Sequence, residues 1–217
     1  MNRYCLYVDG FNVYHALNGP YYYKPRTPRT DSNKCFRYRK YKWLNYRKLL
    51  ESIIQSKDTI EAIHYFTTFA EWRPDSVARH KEYIKALRTE KIKITYGRFQ
   101  RKQVKCHLCE QYYHTHVEKR TDVNIAVQLL VDAFEDLYDR ALIISADSDL
   151  LQVIDAVHKF APDKEVGIMF PINLSSIELR QQADFRYKMS EKLLKNSQFP
   201  NEIKVGNTVI TKPVSWC

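Results

Sequence analysis

Four aspartates stand where short apolar runs give way to turns or where a helical pattern opens. Asp9 follows Tyr4-Cys5-Leu6-Tyr7-Val8, Asp147 and Asp149 follow Ala141-Leu142-Ile143-Ile144, and Asp122 opens the helical pattern between them. Carboxylates brought together repel one another, and the usual resolution is a hard cation held by oxygen ligands, Mg2+ or Mn2+. Two such ions clamp the attacking water and the leaving oxygen of a phosphodiester. Each acid also has a plainer reading: Asp9-Gly10 as a turn, Asp122 as a helix cap, Ser148 or Asp149 as the cap of the next helix. Jointly the plainer readings are harder to accept. The chain carries 35 Lys and Arg against 25 Asp and Glu, a net charge of +10, yet gathers acids where its apolar strands end.

A second group is Cys106-His107-Leu108-Cys109 with His114 and His116. Two thiolates and two imidazoles complete a tetrahedral Zn2+ shell, which would stiffen the segment leading to Asp122; His107 is a substitute ligand. The spacing is shorter than that of ordinary zinc fingers, and the other reading leaves the cysteines reduced and the histidines facing solvent or nucleic acid. Cys5 reads as a small core residue, and five cysteines, an odd number, argue against a closed disulfide framework.

The positive balance favours a polyanionic partner. Residues 21–43 hold Arg26, Arg29, Arg37, Arg39 and Lys40 interleaved with tyrosines, Phe36 and Trp43, against the single acid Asp31. Cations for phosphates and rings for stacked bases suit a single-stranded nucleic acid. Alternatively, the tyrosines and Trp43 pack on the core while the charges face water. Arg98, Arg101 and Lys102, with Lys105, are a candidate second wall, or else a solvated loop.

Hydrophobic period gives the elements that must position these groups. Buried strands are read at 4–8, 59–66, 92–96, 141–144 and 165–170. A first helix spans 13–17; a second starts at Asn45, with Leu49, Leu50, Ile53 and Ile54 on one face; a third starts at Pro74 and turns Val77, Ile84 and Leu87 inward. A strongly amphipathic helix from Asp122 carries Val123, Ala126, Val127, Leu130, Ala133 and Phe134 at helical spacing, and another after Asp149 carries Leu150, Leu151, Ile154 and Val157. Strands alternating with such helices predict an α/β fold whose parallel sheet is covered on both faces, with catalytic groups beyond the carboxyl ends of the strands. At 217 residues the length suits one domain, 1–195, with a basic-aromatic insertion at 20–43 and an irregular Cys/His loop at 98–119; residues 196–217 form a tail with weak strand signals. No run approaches the roughly 18 apolar residues of a membrane span and no secretory pattern follows Met1, so no membrane partner is expected and the expected address is the cytoplasm. A homo-oligomer is compatible with these features and required by none of them.

Three segments carry a family resemblance. Tyr7-Val8-Asp9-Gly10-Phe11-Asn12, Glu118-Lys119-Arg120-Thr121-Asp122-Val123-Asn124-Ile125-Ala126 and Ile144-Ser145-Ala146-Asp147-Ser148-Asp149 resemble, in order over about residues 4–190, the signature segments of the NYN domain family, a branch of the PIN-like nucleases. Ala146 and Arg120 stand where relatives often have Gly, and neither change removes a carboxylate. The resemblance implies a three-layer, Rossmann-like PIN fold with a mostly parallel central sheet. It implies a metal-dependent ribonuclease with Mg2+ or Mn2+ on Asp9, Asp122, Asp147 and Asp149, and Asn12 orienting a ligand or a phosphate oxygen. It also matches Asp184 to a late family position, where a structural role at a helix end is an equal reading. RNA is preferred to DNA on the resemblance alone. A haloacid-dehalogenase-type phosphatase needs a second Asp where Phe11 stands, and a Toprim site needs Glu in place of Asp9. The expected function is an endoribonuclease leaving 5′-phosphate and 3′-hydroxyl ends. The alternatives are a regulatory RNA-binding module with a vestigial acidic pocket and a structure-selective DNA nuclease.

Overall fold

The computed structural model of the chain describes residues 1–19 and 37–216. Six parallel strands, numbered along the chain, lie side by side in the order β3 (Lys93–Tyr96), β2 (Thr59–Thr67), β1 (Arg3–Asp9), β6 (Arg140–Ile144), β7 (Glu165–Phe170) and β8 (Phe185–Lys188). Two antiparallel pairs stand apart from this sheet: β4 (Arg98–Lys105) with β5 (Tyr112–Lys119), and β9 (Glu202–Val205) with β10 (Thr208–Thr211). The β1 side chains alternate between two core layers. Tyr4, Leu6 and Val8 enter the layer formed with α1 (Gly10–Asn18), α2 (Tyr46–Glu51), α3 (Pro74–Thr89) and α7 (Glu191–Asn196). Cys5 and Tyr7 enter the layer formed with α4 (Thr121–Phe134), α5 (Leu151–Phe160) and α6 (Ile177–Gln182). Burial on both faces is why β1 and β6 read as unbroken apolar runs, and each fully buried large side chain contributes about 1.5–3 kcal/mol.

The predicted α/β architecture is the observed one, and α6 and β8 extend the sheet past the last strand read from the sequence. Local chemistry sets the ends that matter. The Asp9 carboxylate accepts from the Asn12 backbone N–H and caps α1, and Pro74 opens α3 where its missing N–H has no helical partner to lose. Three details differ from expectation. In α4 the buried face is Ile125, Leu129 and Ala133, while Val123 and Phe134 are 64% and 65% exposed; the helix is apolar almost all round, so spacing alone does not choose the inward face. Asp132, on that buried face, accepts from Tyr7 Oη at 2.7 Å and Gln128 Nε2 at 2.8 Å and meets His64 Nε2 at 3.1 Å, fixing how α4 sits on the sheet. Residues 98–119 are not an irregular loop but the β4–β5 hairpin. Ile53 and Ile54 follow the end of α2 and still pack on the core as turn residues.

The expected boundary at 195 is not a boundary in the packing. Phe199, Ile210 and Trp216 belong to the first core layer; Trp43 lies 5.9 Å from Phe199 and 6.3 Å from Trp216 between ring centroids, and its Nε1 donates to the Pro200 carbonyl at 2.8 Å. Trp43 is wholly buried, so the packing alternative holds for this ring and for Tyr41. No helix among the described residues is long and apolar enough to cross a membrane.

Candidate functional site

From β1 the chain moves outward through β2 to β3, and later returns to build β6, β7 and β8 on the other side of β1. The strand order therefore reverses between β1 and β6, the place where parallel α/β sheets open a crevice beyond their strand ends. Asp9 is the last residue of β1, and Ser145 to Asp149 follow β6. Two hydrogen bonds staple these loops: Ser145 Oγ donates to Asp9 Oδ2 at 3.0 Å, and the Ala146 N–H donates to Asn12 Oδ1 at 3.2 Å. Ser145 Oγ also accepts from the Asp147 N–H at 3.1 Å, and Asp147 Oδ1 accepts from the Asp149 N–H at 3.1 Å. Gly10 is required beside Asp9, because a Cβ there would lie 2.4 Å from the Tyr65 ring and 2.8 Å from the Phe66 carbonyl oxygen.

The hairpin and α4 supply the third wall. Glu118 sits near the end of β5; Arg120 turns the chain with a φ of 81°, and Thr121 Oγ1 donates to Glu118 Oε1 at 2.5 Å. Asp9, Asn12, Glu118, Asp122 and Asp147 line one cavity of about 670 Å3. Asp149 is exposed and is not among the residues lining it. Electrostatics register the crowding. Burial pushes the Asp9 carboxyl, only 4% exposed, up to about 7 against the opposing hydrogen bonds from Asn12 and Ser145, and Glu118 and Asp122 push further the same way. Asp122 is raised by burial and then by Asp147 and Asp149; Glu118 is raised by burial and by Asp122. This is an all-oxygen donor set that favours a positive charge in its midst, which fits a hard divalent cation. As they stand, no three Asp, Glu, His or Cys side chains among the described residues converge closely enough to hold a metal ion.

Sequence reading named the four aspartates and Asn12 but passed over Glu118 and Ser145 as site residues, although both lie within the quoted segments. It also joined groups that the fold separates. Cys106 and Cys109 occupy the turn at the tip of the hairpin, where backbone N–H groups lower the Cys106 thiol. His114 pairs with Gln103 and His116 with Arg101 along the strands. With roughly 3.4 Å per residue, an extended strand carries His116 roughly 14 Å from that tip, so the expected zinc shell is not assembled. His116 stacks instead on Trp72, with centroids 3.6 Å apart and planes 10° from parallel. Asp184 lies at the far end of the sheet, accepting from the Val166 N–H at 2.7 Å and facing His158 at 2.9 Å, which is a structural role.

The expected nucleic-acid residues divide similarly. By strand alternation Arg101 shares the inner face of the hairpin with Phe99, His116 and Glu118, while Arg98 and Lys102 point the other way. Arg37 is bonded to Glu191 on α7, Arg39 Nε donates to the Asn18 carbonyl at 3.3 Å, and the Lys40 ammonium lies 5.2 Å from the Tyr41 ring centroid. Arg26 and Arg29 lie outside the described residues.

Compared with protein families, residues 3–191 match the NYN domain. No curated protein matches the chain. Among solved structures, the chain is similar to a crystal structure of a protein of unknown function from Vibrio parahaemolyticus, with a TM-score of 0.58 and 14% sequence identity over 91% of this chain and 96% of that one. At that identity the likeness shows the fold alone.

Proposed function

Because the chain belongs to the NYN domain family, whose fold is that of the PIN-like nucleases, we propose that it is a metal-dependent ribonuclease cutting RNA internally at the crevice between β1 and β6. The observation that carries this reading is the single cavity lined by Asp9, Glu118, Asp122 and Asp147 in a chain of net charge +10. Asp9, Asp122 and Asp147 would hold Mg2+ or Mn2+, with Glu118 and Asp149 at the margin. When bound, the cation supplies positive charge to the phosphoryl oxygens and makes a water more acidic. Ser145 and the Asn12 N–H fix the Asp9 carboxylate, so one rotamer faces the cavity before any ligand arrives. Asn12 has its Oδ1 engaged by Ala146, which leaves its amide N–H groups to meet a phosphate oxygen. Arg101, on the inner face of the hairpin, meets the backbone on the same side.

The experiment is cleavage of labelled single-stranded and hairpin RNA, with matched DNA, in Mg2+, Mn2+ or EDTA, beside Asp147→Asn/Asp149→Asn. Metal-dependent RNA cleavage with 5′-phosphate products, lost in the double variant, is the expected result. The spread of the acids favours one other reading, an RNA-binding module without catalysis. Binding without cleavage in either metal would select it.

A further inference from the structure

A second cavity, of about 260 Å3, opens beside the acidic one and shares Phe11, His15, Phe99 and His116 with it. Its chemistry is opposite. Lys42, Arg73 and Arg79 line it, and the ion pairs among the described residues include none of the three. Lys42 is only 7% exposed; its Nζ donates to Asn18 Oδ1 at 2.7 Å and lies 4.3 Å from the Tyr14 ring centroid. Arg79 Nη2 donates to Ser76 Oγ at 3.1 Å. Taking an ammonium out of water without a counter-ion is costly. Burial holds the Lys42 ammonium down at about 8, with Arg39 and Arg79 adding to the effect, and burial together with Lys42 and Arg73 holds His15 at about 4. Among the described residues, no carboxylate lines this cavity.

Its walls are flat rings. Trp72, 40% exposed at the mouth, stacks on His116 and meets Phe99 edge-on at 4.7 Å, and Phe99 lies 5.8 Å from Phe11. An apolar cavity of about 150 Å3 takes up benzene, so a one- or two-ring heterocycle fits here. A ligand with a flat ring and a compact anion satisfies both walls.

We infer that the second cavity is a nucleotide subsite, holding a base against Trp72 and Phe99 and its phosphate at Lys42, Arg73 and Arg79. It rests on the nuclease reading only for the nucleotide's being part of an RNA strand. That strand would then run past Phe11 into the carboxylate cavity, and the subsite would fix which nucleotide lies next to the bond that is cut.

The test titrates the full chain, and the Asp147→Asn/Asp149→Asn variant, with the four ribonucleoside 5′-monophosphates, the matching nucleosides and inorganic phosphate. The titrations run in EDTA at neutral pH, followed by tryptophan fluorescence and calorimetry. At least one monophosphate is expected to bind about tenfold more tightly than its nucleoside or phosphate alone, equally in both proteins, and a short oligoribonucleotide is expected to compete. Trp72→Leu and Arg79→Gln should each weaken binding about tenfold, and Arg79→Gln, away from the buried core, should do so while thermal unfolding stays unchanged. Absence of monophosphate binding, binding no tighter than phosphate, or binding untouched by both variants would overturn the subsite; failure of the oligoribonucleotide to compete would overturn its place in an RNA path. Nucleotide binding without RNA cleavage would remove the nuclease reading and leave the subsite, whereas cleavage without nucleotide binding would do the reverse.

Discussion

Phe11 stands between two cavities that share side chains and have opposite charge. On one side Asp9, Glu118, Asp122 and Asp147 face each other; on the other, Lys42, Arg73 and Arg79 do. Paired across the wall, these groups would have neutralised each other as ion pairs. Held apart, each set raises the energy of the empty fold, and the proposed cation on one side and phosphate on the other would each relieve it. The difference shows where this chain keeps its binding energy.

The largest effect is expected from removing one charge on the acidic side. Asp9→Asn keeps the cap on α1 and should lower cleavage on the order of 1,000-fold. The same change should stabilise the metal-free protein. The Asp9 carboxyl sits at about 7 in the folded chain against about 3.9 when unfolded, so the folded state holds the extra proton between those values and stability falls as pH rises through that window. In EDTA above neutral pH, Asp9→Asn should be more stable by roughly 1–3 kcal/mol, read as a higher unfolding temperature, the gain vanishing near pH 4. A variant less stable than its parent at every pH would break the comparison.

Gly10→Ala strikes both sides at once, because the new Cβ meets the Phe66 carbonyl oxygen behind the acidic cavity and the Tyr65 ring that lines the other. A loss of about 2–3 kcal/mol is expected in denaturant titration, with cleavage and nucleotide binding falling together. If only one of the two falls, the cavities are more independent than their shared wall implies. The smallest effect separates the faces of the hairpin. Arg101→Ala should weaken RNA binding several-fold and reduce the slope of log affinity against log salt by about 1, and Lys102→Ala should do neither. Equal effects would put the RNA on both faces and sink the alternation argument.

The acidic half of this arrangement was legible in the sequence. Strands buried on both faces read as unbroken apolar runs, and the residues that end them, Asp9 and Asp147, are brought together by the reversal of strand order that a β–α rhythm implies. The cationic half was not. Lys42, Trp72, Arg79 and Trp216 come from three distant stretches, and Lys42 read as one of the charges of a basic-aromatic insertion that faces water or nucleic acid, whereas it is buried. The hairpin escaped for a different reason: with neither face in the core, β4 and β5 lack the apolar alternation that marks a strand, and ladder hydrogen bonds and the Trp72–His116 stack hold them. The cysteines and histidines misled because closeness along an extended strand is not closeness in space.

The hydrogen bond from Ser145 to Asp9 spans 136 residues. During synthesis β1 emerges long before its partner β6, so until then the central strand has one edge bare. A chain still being made therefore has no crevice between β1 and β6 until β6 docks.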